Sequence, residues 1–588
     1  MNLLDRFRVY NPSKADSRLK AAQQKEAVMR MWVIIASIVA FLLVVRVLRL
    51  ASSFLFRRRP FSPEETNWAI EKAEKASSPE LVLPGRNSKA SWRCVPAAIA
   101  SGFRIVAFRV QVPLGVGGAS IVELFFIFGY IATMLSLTFT NTKGLNYWFY
   151  QDRGAHLAAC QLPFIVALAG KNNIISFLTG IGHEKLNILH RAAARTCLIL
   201  LWIHALSRAL EGLTGKHDFS HGWMRWGAVS LTAFTLLTAM SVRFIRNVFF
   251  EFFLLSHIAL VGIFIIGGYL HAREVNFGDY FWPALVVWAF DRVLRTARLI
   301  WNNRGRGGTQ HEYGSAVVEL VSFDTVRMTL RRKMDWRPGQ HAYVILPTIS
   351  DMANEAHPFT IASIPQSLNN LDDSGERDVV FLIRGRGGFT GRLRDYASRN
   401  GICRVPAFID GPYGCPPDLT KFSTCILIAG GSGVSYTLPL LLNLVRHART
   451  RTTHVHRVIF MWAVRESDHL GWISKNLREA LDAAQSTTLA VEPTVYVTGP
   501  TCDIPQIPGT QYAGSDGSGS DSGEVVDKEL RCEGVDNSSG PVSVDVSGPS
   551  SLTSSVSNAL ASKLTSPASV LKGAPSVTLH VETFGMSR

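Results

Sequence analysis

The sequence predicts a protein of two parts: an all-α bundle of about seven transmembrane spans, followed by a small β-barrel and an α/β domain. The chain has 588 residues, of which 47% are hydrophobic, and its mean hydropathy of +0.15 is high for a soluble protein. The long apolar stretches lie before residue 303. After that position, short β-rich segments are followed by alternating strands and helices.

Charge and cysteine content favour a membrane protein over a nucleic-acid-binding, zinc-binding or disulfide-rich one. Lys and Arg number 61 and Asp and Glu 45, which gives a net charge of +16. Much of the excess lies beside apolar spans, so we interpret it as membrane orientation charge. No aromatic-rich basic module points to nucleic acid. The eight cysteines form no CxxC pair, so neither a zinc site nor a disulfide framework is indicated. The polar first thirty residues do not resemble a cleavable signal peptide.

Seven apolar segments are the predicted spans: 31–45 with its flanks, 121–139, 156–169, 186–210, 226–240, 249–271 and 280–300. Arginines follow the first span, precede the sixth and lie at the end of the seventh. The positive-inside rule therefore predicts an outside N-terminus and a cytoplasmic C-terminal half. The basic charge of the N-terminal tail itself argues against this orientation, and the arginine cluster after the first span partly answers it.

Two of these spans each carry a pair of histidines fourteen residues apart: His190 and His204 in the fourth, His257 and His271 in the sixth. Fourteen helical residues fall about 40° short of four turns, so both histidines of a span lie near one face, about 21 Å apart along the axis. Imidazole in hydrocarbon is costly unless it is paired or ligates something. Four histidines at a duplicated spacing favour two bis-histidine haems, an inner and an outer one. For any single histidine, a hydrogen bond to a neighbouring helix is the competing interpretation.

Three arginines lie within five residues of the fourth-span histidines. They either pair with haem propionates or extend towards the membrane surface; they are Arg191, Arg195 and Arg208.

The C-terminal half divides into domains by pattern. We predict boundaries at 1–117 (tail, first span and cytoplasmic loop), 118–303 (haem domain), 304–419 (β-barrel) and 420–588 (α/β domain). Residues 503–540 are rich in Gly, Ser and Asp and predict a disordered insertion.

Four motifs in this half carry chemistry. Residues 357–363 read HPFTIAS. Residues 387–391, GGFTG, start a helix with glycines and a threonine cap, which suits a pyrophosphate. Residues 411–414, GPYG, predict a tight turn. Residues 428–436, IAGGSGVSY, combine a strand, a glycine loop and a helix that would hold a second pyrophosphate.

Together with the histidine pairs, these motifs resemble the ferric reductase branch of the ferredoxin–NADP reductase-like flavoproteins, over roughly residues 120–588. The fungal metalloreductases are the most similar group. The resemblance implies two b-type haems, FAD and NADPH. The implied FAD-binding residues are His357, Pro358, Phe359, Thr360, Ser363, Gly388, Thr390 and Phe584. The implied NADP-binding residues are Gly430, Gly431, Gly433, Arg465, Ser547, Gly548 and Pro549.

Three of these positions need comment. Ser547 stands where the family has a cysteine, which puts nicotinamide placement in question. Arg465 would contact the 2′-phosphate of NADP, or else is a solvent-exposed strand-end arginine. Phe584 would cover the flavin, or else is an ordinary core residue of a last strand.

The implied activity is reduction of ferric, and also cupric, chelates on the far side of a membrane, most readily the plasma membrane. A high-affinity iron uptake system would be a further partner. The alternative is a superoxide-generating NADPH oxidase, whose second histidine spacing is typically one residue shorter and which usually lacks the first span. A haem-bearing transporter or sensor is disfavoured by the complete flavin and nicotinamide motifs.

Overall fold

The computed structural model describes residues 12–55, 94–113, 118–143, 145–304, 314–353, 355–366, 368, 376–499, 507–514, 540–561, 566–572 and 574–582. The chain forms two units. The helical unit comprises residues 1–57 and 122–296, and the sheet unit comprises residues 58–121 and 297–587.

The α-helices of the described residues are, in chain order, α1 (Lys14–Leu55), α2 (Val95–Arg104), α3 (Ile121–Phe139), α4 (Tyr147–Cys160), α5 (Leu162–Ala169), α6 (Ile174–Thr179), α7 (His183–Glu211), α8 (Gly222–Met240), α9 (Arg243–Val248), α10 (Phe250–Ala272), α11 (Trp282–Asn303), α12 (Gly388–Asn400), α13 (Val434–Arg449), α14 (Ser474–Gln485), α15 (Ser550–Ala561) and α16 (Pro567–Leu571).

The predicted spans are all helical, but they differ in length and polarity. Among the described residues, four stretches are long and apolar enough to cross a membrane: Lys14–Ala51, Ile121–Phe139, His183–Glu211 and Phe250–Val275. The other predicted spans correspond to α4 with α5, α8 and α11. The first of these is broken at Gln161, and α11 contains Asp291 and three arginines. The seven-span topology therefore stays a prediction.

Helix α1 packs along its length against other helices of the helical unit. Near its start, Lys20 Nζ lies 2.6 Å from Asp152 Oδ2 in α4. Near its end, Arg46 donates to the carbonyl of Phe177 in α6. Met31, between these contacts, is fully buried. The N-terminal part of α1 thus lies beside the late part of α7, where His204 is, and its C-terminal part lies near the segment preceding α7.

The strands are β1 (Gln111–Pro113), β2 (Gly118–Ser120), β3 (Ser315–Ser322), β4 (Thr325–Arg332), β5 (His341–Ile345), β6 (His357–Thr360), β7 (Arg377–Arg384), β8 (Cys403–Pro406), β9 (Phe408–Tyr413), β10 (Thr424–Gly430), β11 (Arg457–Val464), β12 (Ala490–Val497), β13 (Gln511–Gly514), β14 (Val542–Ser547) and β15 (Val577–Glu582).

The predicted β-barrel consists of two antiparallel sheets around one core. Their strand orders are β7-β4-β3-β8 and β6-β5-β9. Alternate residues of β4, such as Val326, Met328 and Leu330, are fully buried, because successive side chains of a strand point to opposite faces. Helix α12 closes the core with Phe389 and Leu393. The two sheets share one apolar interior but are not hydrogen-bonded into a single closed sheet.

The predicted tight turn at 411–414 is wrong in part, because Gly411, Pro412 and Tyr413 belong to β9. Among the described residues, strand β9 is at the edge of its sheet and pairs with β5. An edge strand tolerates proline, which has no N–H to donate. Glycine is required at 411 because a Cβ there would lie 2.7 Å from the Cβ of Ala342.

The second domain of the sheet unit contains a parallel sheet with the order β13-β12-β11-β10-β14-β15. Every residue of the central strand β10 is buried, as expected of a strand covered on both faces. Strand β13 falls inside the stretch 503–540 that was predicted to be a disordered insertion. It pairs with β12, and Ile507 before it is 2% exposed. The sequence prediction for residues 507–514 is therefore wrong, because sheet pairing compensates for their polar composition.

Residues 94–113 pack on the α/β domain, although the sequence analysis assigned them to the N-terminal region. Arg109 is buried and donates to the carbonyls of Leu560 (2.7 Å) and Val577 (2.9 Å). Burial lowers the pKa of the Arg109 guanidinium to about 10. In α2, a Cβ at Gly102 would lie 3.1 Å from Pro567. Residues 94–113 are thus part of the sheet unit.

Candidate functional site

The four histidines of the spans lie on α7 and α10, as predicted. The imidazoles of His204 and His271 face each other with ring centroids 6.4 Å apart and planes at 67°. Two imidazoles bonded to one iron at about 2 Å each have ring centres roughly 6 Å apart. The spacing of this pair therefore fits one haem iron between the rings.

Backbone carbonyls orient three of the four imidazoles through Nδ1. His190 Nδ1 is 2.8 Å from the carbonyl of Ile165, His204 Nδ1 is 3.0 Å from that of Gln151, and His271 Nδ1 is 2.9 Å from that of Trp223. A carbonyl only accepts, so each Nδ1 carries the proton and each Nε2 keeps its lone pair. This tautomer is the one that metal-ligating histidines adopt.

His257 is the exception. Its Nδ1 is buried without a hydrogen-bond partner among the described residues. Its ring lies 5.3 Å from that of Phe253, and His190 is close enough to act on it electrostatically. A buried polar atom without a partner is costly, so a ligand that engages this imidazole would remove an unfavourable contribution.

Glycines allow close packing in the helical unit, one of them beside the His271 ring. A Cβ at Gly227 in α8 would lie 2.6 Å from His271 Nδ1. A Cβ at Gly154 in α4 would lie 3.1 Å from the carbonyl oxygen of Leu200 in α7. Small residues of this kind let helices approach closely in a membrane. The four imidazoles and the three fixed tautomers fit two bis-histidine haems, one near His190 and His257 and one between His204 and His271.

Arg208 does not point to a free propionate site. It binds Asp152 through Nη2 (2.6 Å) and Nε (3.0 Å), and Glu211 through Nη1 (3.0 Å). Its guanidinium is therefore committed to carboxylates of the protein. Arg191 lies within electrostatic range of the arginines at 246, 195 and 243. The pairing of Arg191 and Arg195 with propionates stays a prediction.

In the barrel domain, the two predicted flavin motifs come together. The ring of His357 in β6 stacks on Phe389 in α12, with centroids 4.1 Å apart and planes at 18°. Phe359 lies 6.3 Å from the same ring. His357 Nε2 is 2.7 Å from Glu355 Oε1. Pro358, between the two aromatic positions, is exposed, and Thr360 is buried.

The glycine-led start of α12 has the predicted local form. Gly388 has φ +53°, with open space where a Cβ would be. The hydroxyl of Thr390 accepts from the N–H of Arg386 (3.2 Å) and donates to the carbonyl of Gly387 (3.0 Å). Thr390 thus fixes the loop before the helix.

Ser363 makes three hydrogen bonds within the protein, besides the place near the flavin that the resemblance implies. Its hydroxyl donates to the carbonyl of Asp378 (2.8 Å) and accepts from the N–H of Val380 (3.1 Å), both in β7. Its carbonyl accepts from Trp336 Nε1 (2.9 Å). These bonds tie the HPFTIAS segment to the neighbouring sheet.

The two predicted nicotinamide segments meet at the carboxyl ends of the parallel neighbours β10 and β14. A Cβ at Gly433 would lie 2.1 Å from the carbonyl oxygen of Ser547, and one at Gly430 would lie 2.8 Å from Pro549. A Cβ at Gly548 would lie 3.0 Å from the backbone nitrogen and Cα of Gly430. Gly431 has φ +54°, and its carbonyl accepts from Trp462 Nε1 (3.0 Å). A crevice at the carboxyl ends of such strands is where ligands bind in open α/β sheets.

Ser547 and Asp545 are buried neighbours on β14. Ser547 Oγ has no hydrogen-bond partner among the described residues. Asp545 is fully buried and accepts from Ser543 Oγ (2.8 Å), and Tyr436 OH lies 3.5 Å away. Burial raises the pKa of Asp545 to about 6, against the opposing charge of His580 in the adjacent strand.

Two predicted residues remain, Arg465 and Phe584. Arg465 follows β11 and is exposed. The last described strand, β15, ends at Glu582, so Phe584 lies outside the described residues.

Sequence reasoning missed the residues that orient the imidazoles. Gln151, Ile165 and Trp223 act through backbone carbonyls, which carry no signature in the sequence. Gly227 had no pattern to single it out. Phe389, which stacks on His357, belongs to the GGFTG motif at 387–391. Its position between two glycines and a threonine was the signal that could have identified it.

Comparison with known proteins matches three domains. Residues 155–268 match the family described as ferric reductase like transmembrane component, residues 312–417 match an FAD-binding domain, and residues 422–559 match the ferric reductase NAD binding domain.

Three relatives illustrate the similarity. The probable cell surface ferric reductase kap2 of Aspergillus oryzae is 30% identical over 57% of this chain and 46% of its own length. Ferric/cupric reductase transmembrane component 1 of Candida albicans is 26% identical over 59% of this chain and 43% of its own. Ferric/cupric reductase transmembrane component 7 of Saccharomyces cerevisiae is 30% identical over 56% of this chain and 53% of its own length.

The chain spans about half the length of these curated relatives. The predicted order of a helical membrane region, an FAD-binding domain and an NAD-binding domain is confirmed by the matched segments. The chain therefore contains a ferric reductase like transmembrane component, an FAD-binding domain and a ferric reductase NAD binding domain.

Proposed function

We propose that this chain is a transmembrane ferric-chelate reductase that also accepts cupric chelates and draws its electrons from cytosolic NADPH. The observation that carries the proposal is the set of four membrane histidines, three of which have Nδ1 fixed by a carbonyl. The relatives named as ferric and ferric/cupric reductases support the substrate class.

In this proposal, His190 and His257 would hold the inner haem, and His204 and His271 the outer one. When bound, FAD would supply the conversion of a two-electron hydride donor into single electrons, and haem held by these four histidines would supply one-electron carriers. The protein keeps the imidazoles in the ligating tautomer through carbonyls of α4, α5 and the start of α8. That arrangement removes the cost of reorienting the rings when a ligand binds.

The sheet unit would bind FAD and NADPH. His357, Pro358, Phe359 and Thr360 would line the flavin ring, with Ser363 behind them, Gly388 and Thr390 at the pyrophosphate and Phe584 over the ring. Gly430, Gly431 and Gly433 would place backbone N–H groups at the NADPH pyrophosphate, where the start of α13 favours an anion. Ser547, Gly548 and Pro549 would border the nicotinamide, and Arg465 would meet the 2′-phosphate.

The electron path would cross the plasma membrane from the cytoplasm outwards. The arginines of α9 and α11 favour the cytoplasmic side for the ends of these helices. Ferric or cupric chelates would be reduced outside, before uptake by a high-affinity iron uptake system.

A spectroscopic experiment tests the proposal. Membranes containing the full chain receive NADPH anaerobically, and a reduced-minus-oxidised spectrum is recorded before and after a ferric chelate is added. We expect a b-type signal that appears with NADPH and disappears with the chelate. His204→Leu should remove about half of the signal, whereas His221→Ala, in an exposed loop, should leave it unchanged.

Two results would overturn the proposal. Absence of a haem signal in well-expressed protein would remove the role of the histidines. Reoxidation by oxygen alone, with superoxide formed, would indicate an NADPH oxidase instead.

A further inference from the structure

A network of partly buried charges adjoins the His204 imidazole at one end of the helical unit. Asp152 Oδ2 is 2.6 Å from Lys20 Nζ, and Asp152 Oδ1 is 2.6 Å from Arg208 Nη2. Arg208 also binds Glu211 at 3.0 Å. Two cations and two carboxylates make the network electrically balanced. Asp152 Oδ1 lies only 3.8 Å from His204 Nδ1.

The network is also linked to the orientation of His204. The carbonyl that fixes His204 Nδ1 belongs to Gln151, and the side-chain amide of Gln151 donates to Glu211 Oε2 (3.0 Å). Gln151, which orients the His204 imidazole, and Asp152, the carboxylate closest to that ring, are therefore adjacent in α4. A change in the charge at Asp152 would therefore act directly beside the residue that holds the His204 imidazole in place.

The first helix supplies one of the four charges. Lys20 is 8% exposed, and its ammonium lies 4.3 Å from the centre of the Trp148 ring. A second contact, from Arg153 Nη2 to Gln23 Oε1 (2.8 Å), holds α1 to α4 at the same level. Helix α1 lies outside residues 155–268, the stretch that matches the transmembrane component of the family. Its contribution is thus additional to the matched domain.

Partial burial reduces the screening of these charges by solvent. A buried ion that loses its partner is strongly unfavourable, and the interaction between buried charges is weakly screened. A net negative charge near an iron stabilises the ferric state and lowers its reduction potential; a net positive charge has the opposite effect. Because the network is balanced, removal of either one cation or one anion should shift the potential, with opposite signs.

We propose that α1 is a working part of the outer electron exit, in which Lys20 balances Asp152 and so sets the reduction potential of the haem held by His204. Lys20 is a positioning and tuning residue, since it acts through Asp152. This inference rests on the proposed function, because it presumes haem at His204 and His271. It assigns a role to α1 beyond that of a membrane anchor.

Redox titration of the purified full chain in detergent tests this inference. Lys20→Met leaves a net charge of −1 in the network, and Asp152→Asn leaves +1. We expect the equilibrium constant for reduction of one of the two haems to fall about tenfold in the first variant and to rise about tenfold in the second, or 59 mV each way for a one-electron couple. The other haem should not move.

Two further variants separate charge from structural damage. The double variant Lys20→Met/Asp152→Asn leaves Arg208 and Glu211, a neutral remainder, and should return the potential close to that of the unmodified protein. Arg30→Met removes a cation from the same helix, about 15 Å further along its axis. Its side chain is 53% exposed and pairs with Glu26, so the potential should stay unchanged.

The outcomes distinguish this inference from the proposed function. If the unmodified protein binds no b-type haem, the proposed function fails. If both haems bind and are reduced by NADPH, but the two single variants shift the potential in the same direction or not at all, the inference is wrong. A double variant that is no closer to the unmodified potential than the single variants would also contradict it.

Discussion

Gly227→Ala should expel haem from the outer site while the protein stays folded. The added Cβ would lie 2.6 Å from Nδ1, 2.8 Å from Cε1 and 3.0 Å from Cγ of His271. Ordinary van der Waals contact starts at about 3.4 Å, so the ring must move by roughly 0.8 Å. That movement disrupts the 2.9 Å bond from His271 Nδ1 to the carbonyl of Trp223.

The magnitude follows from two contributions. Overpacking of a well-filled site costs roughly 1–3 kcal/mol, and a buried donor without its acceptor costs roughly 1–3 kcal/mol more. Together they correspond to a loss of affinity of at least tenfold, since about 1.4 kcal/mol is a factor of ten.

The assay is the haem content of purified protein, read from the b-type absorbance per polypeptide. We expect about half of the haem to remain in Gly227→Ala, with the inner site intact. Gly262→Ala in α10 is the matched control, because nothing lies within 4 Å of a Cβ there. Full haem content and an unchanged outer-haem potential in Gly227→Ala would refute the assignment of His271 as a ligand.

Three further predictions concern the sheet unit. Arg109→Ala removes hydrogen bonds of 2.7 and 2.9 Å to two backbone carbonyls and should destabilise this unit by about 2–4 kcal/mol; thermal unfolding checks this, with the exposed Arg478→Ala as control. The pKa of Asp545 rises on folding from 3.8 to about 6, so its contribution to stability is fully present below pH 3.8 and is lost as the pH rises through about 6. Asp545→Asn should therefore flatten the pH dependence of unfolding between pH 4 and 6 by about 3 kcal/mol, and an unchanged profile would contradict this. Arg465→Ala should raise the KM for NADPH about tenfold and leave that for NADH unchanged; equal effects on both would show that Arg465 does not contact the 2′-phosphate.

Periodic features were predictable because they depend on local geometry. The fourteen-residue spacing places His190 and His204 on one face of any helix, whatever surrounds it. The run of buried residues in β10 that ends in Gly430 likewise follows from strand and loop chemistry. These patterns gave the two parts of the chain and the positions of its motifs.

Long-range partners were not predictable. Nothing in the sequence indicates that Gln151 would present its carbonyl to His204, or that Lys20 would reach Asp152 across 132 positions. The same holds for Arg109, which binds backbone atoms more than 450 residues away. Each contact depends on how helices pack, and packing is set by the sum of many weak contacts.

The sequence alone determined the helical membrane region, the order of the flavin and nucleotide domains and the four histidines, because hydrophobic periodicity and glycine-rich loops act locally. Only the tertiary structure decided the tautomer of those histidines, the strand at 511–514, the placement of Pro412 on an edge strand and the attachment of residues 94–113 to the sheet unit. These features depend on atoms brought together from distant parts of the chain, where sheet pairing and burial outweigh local preference.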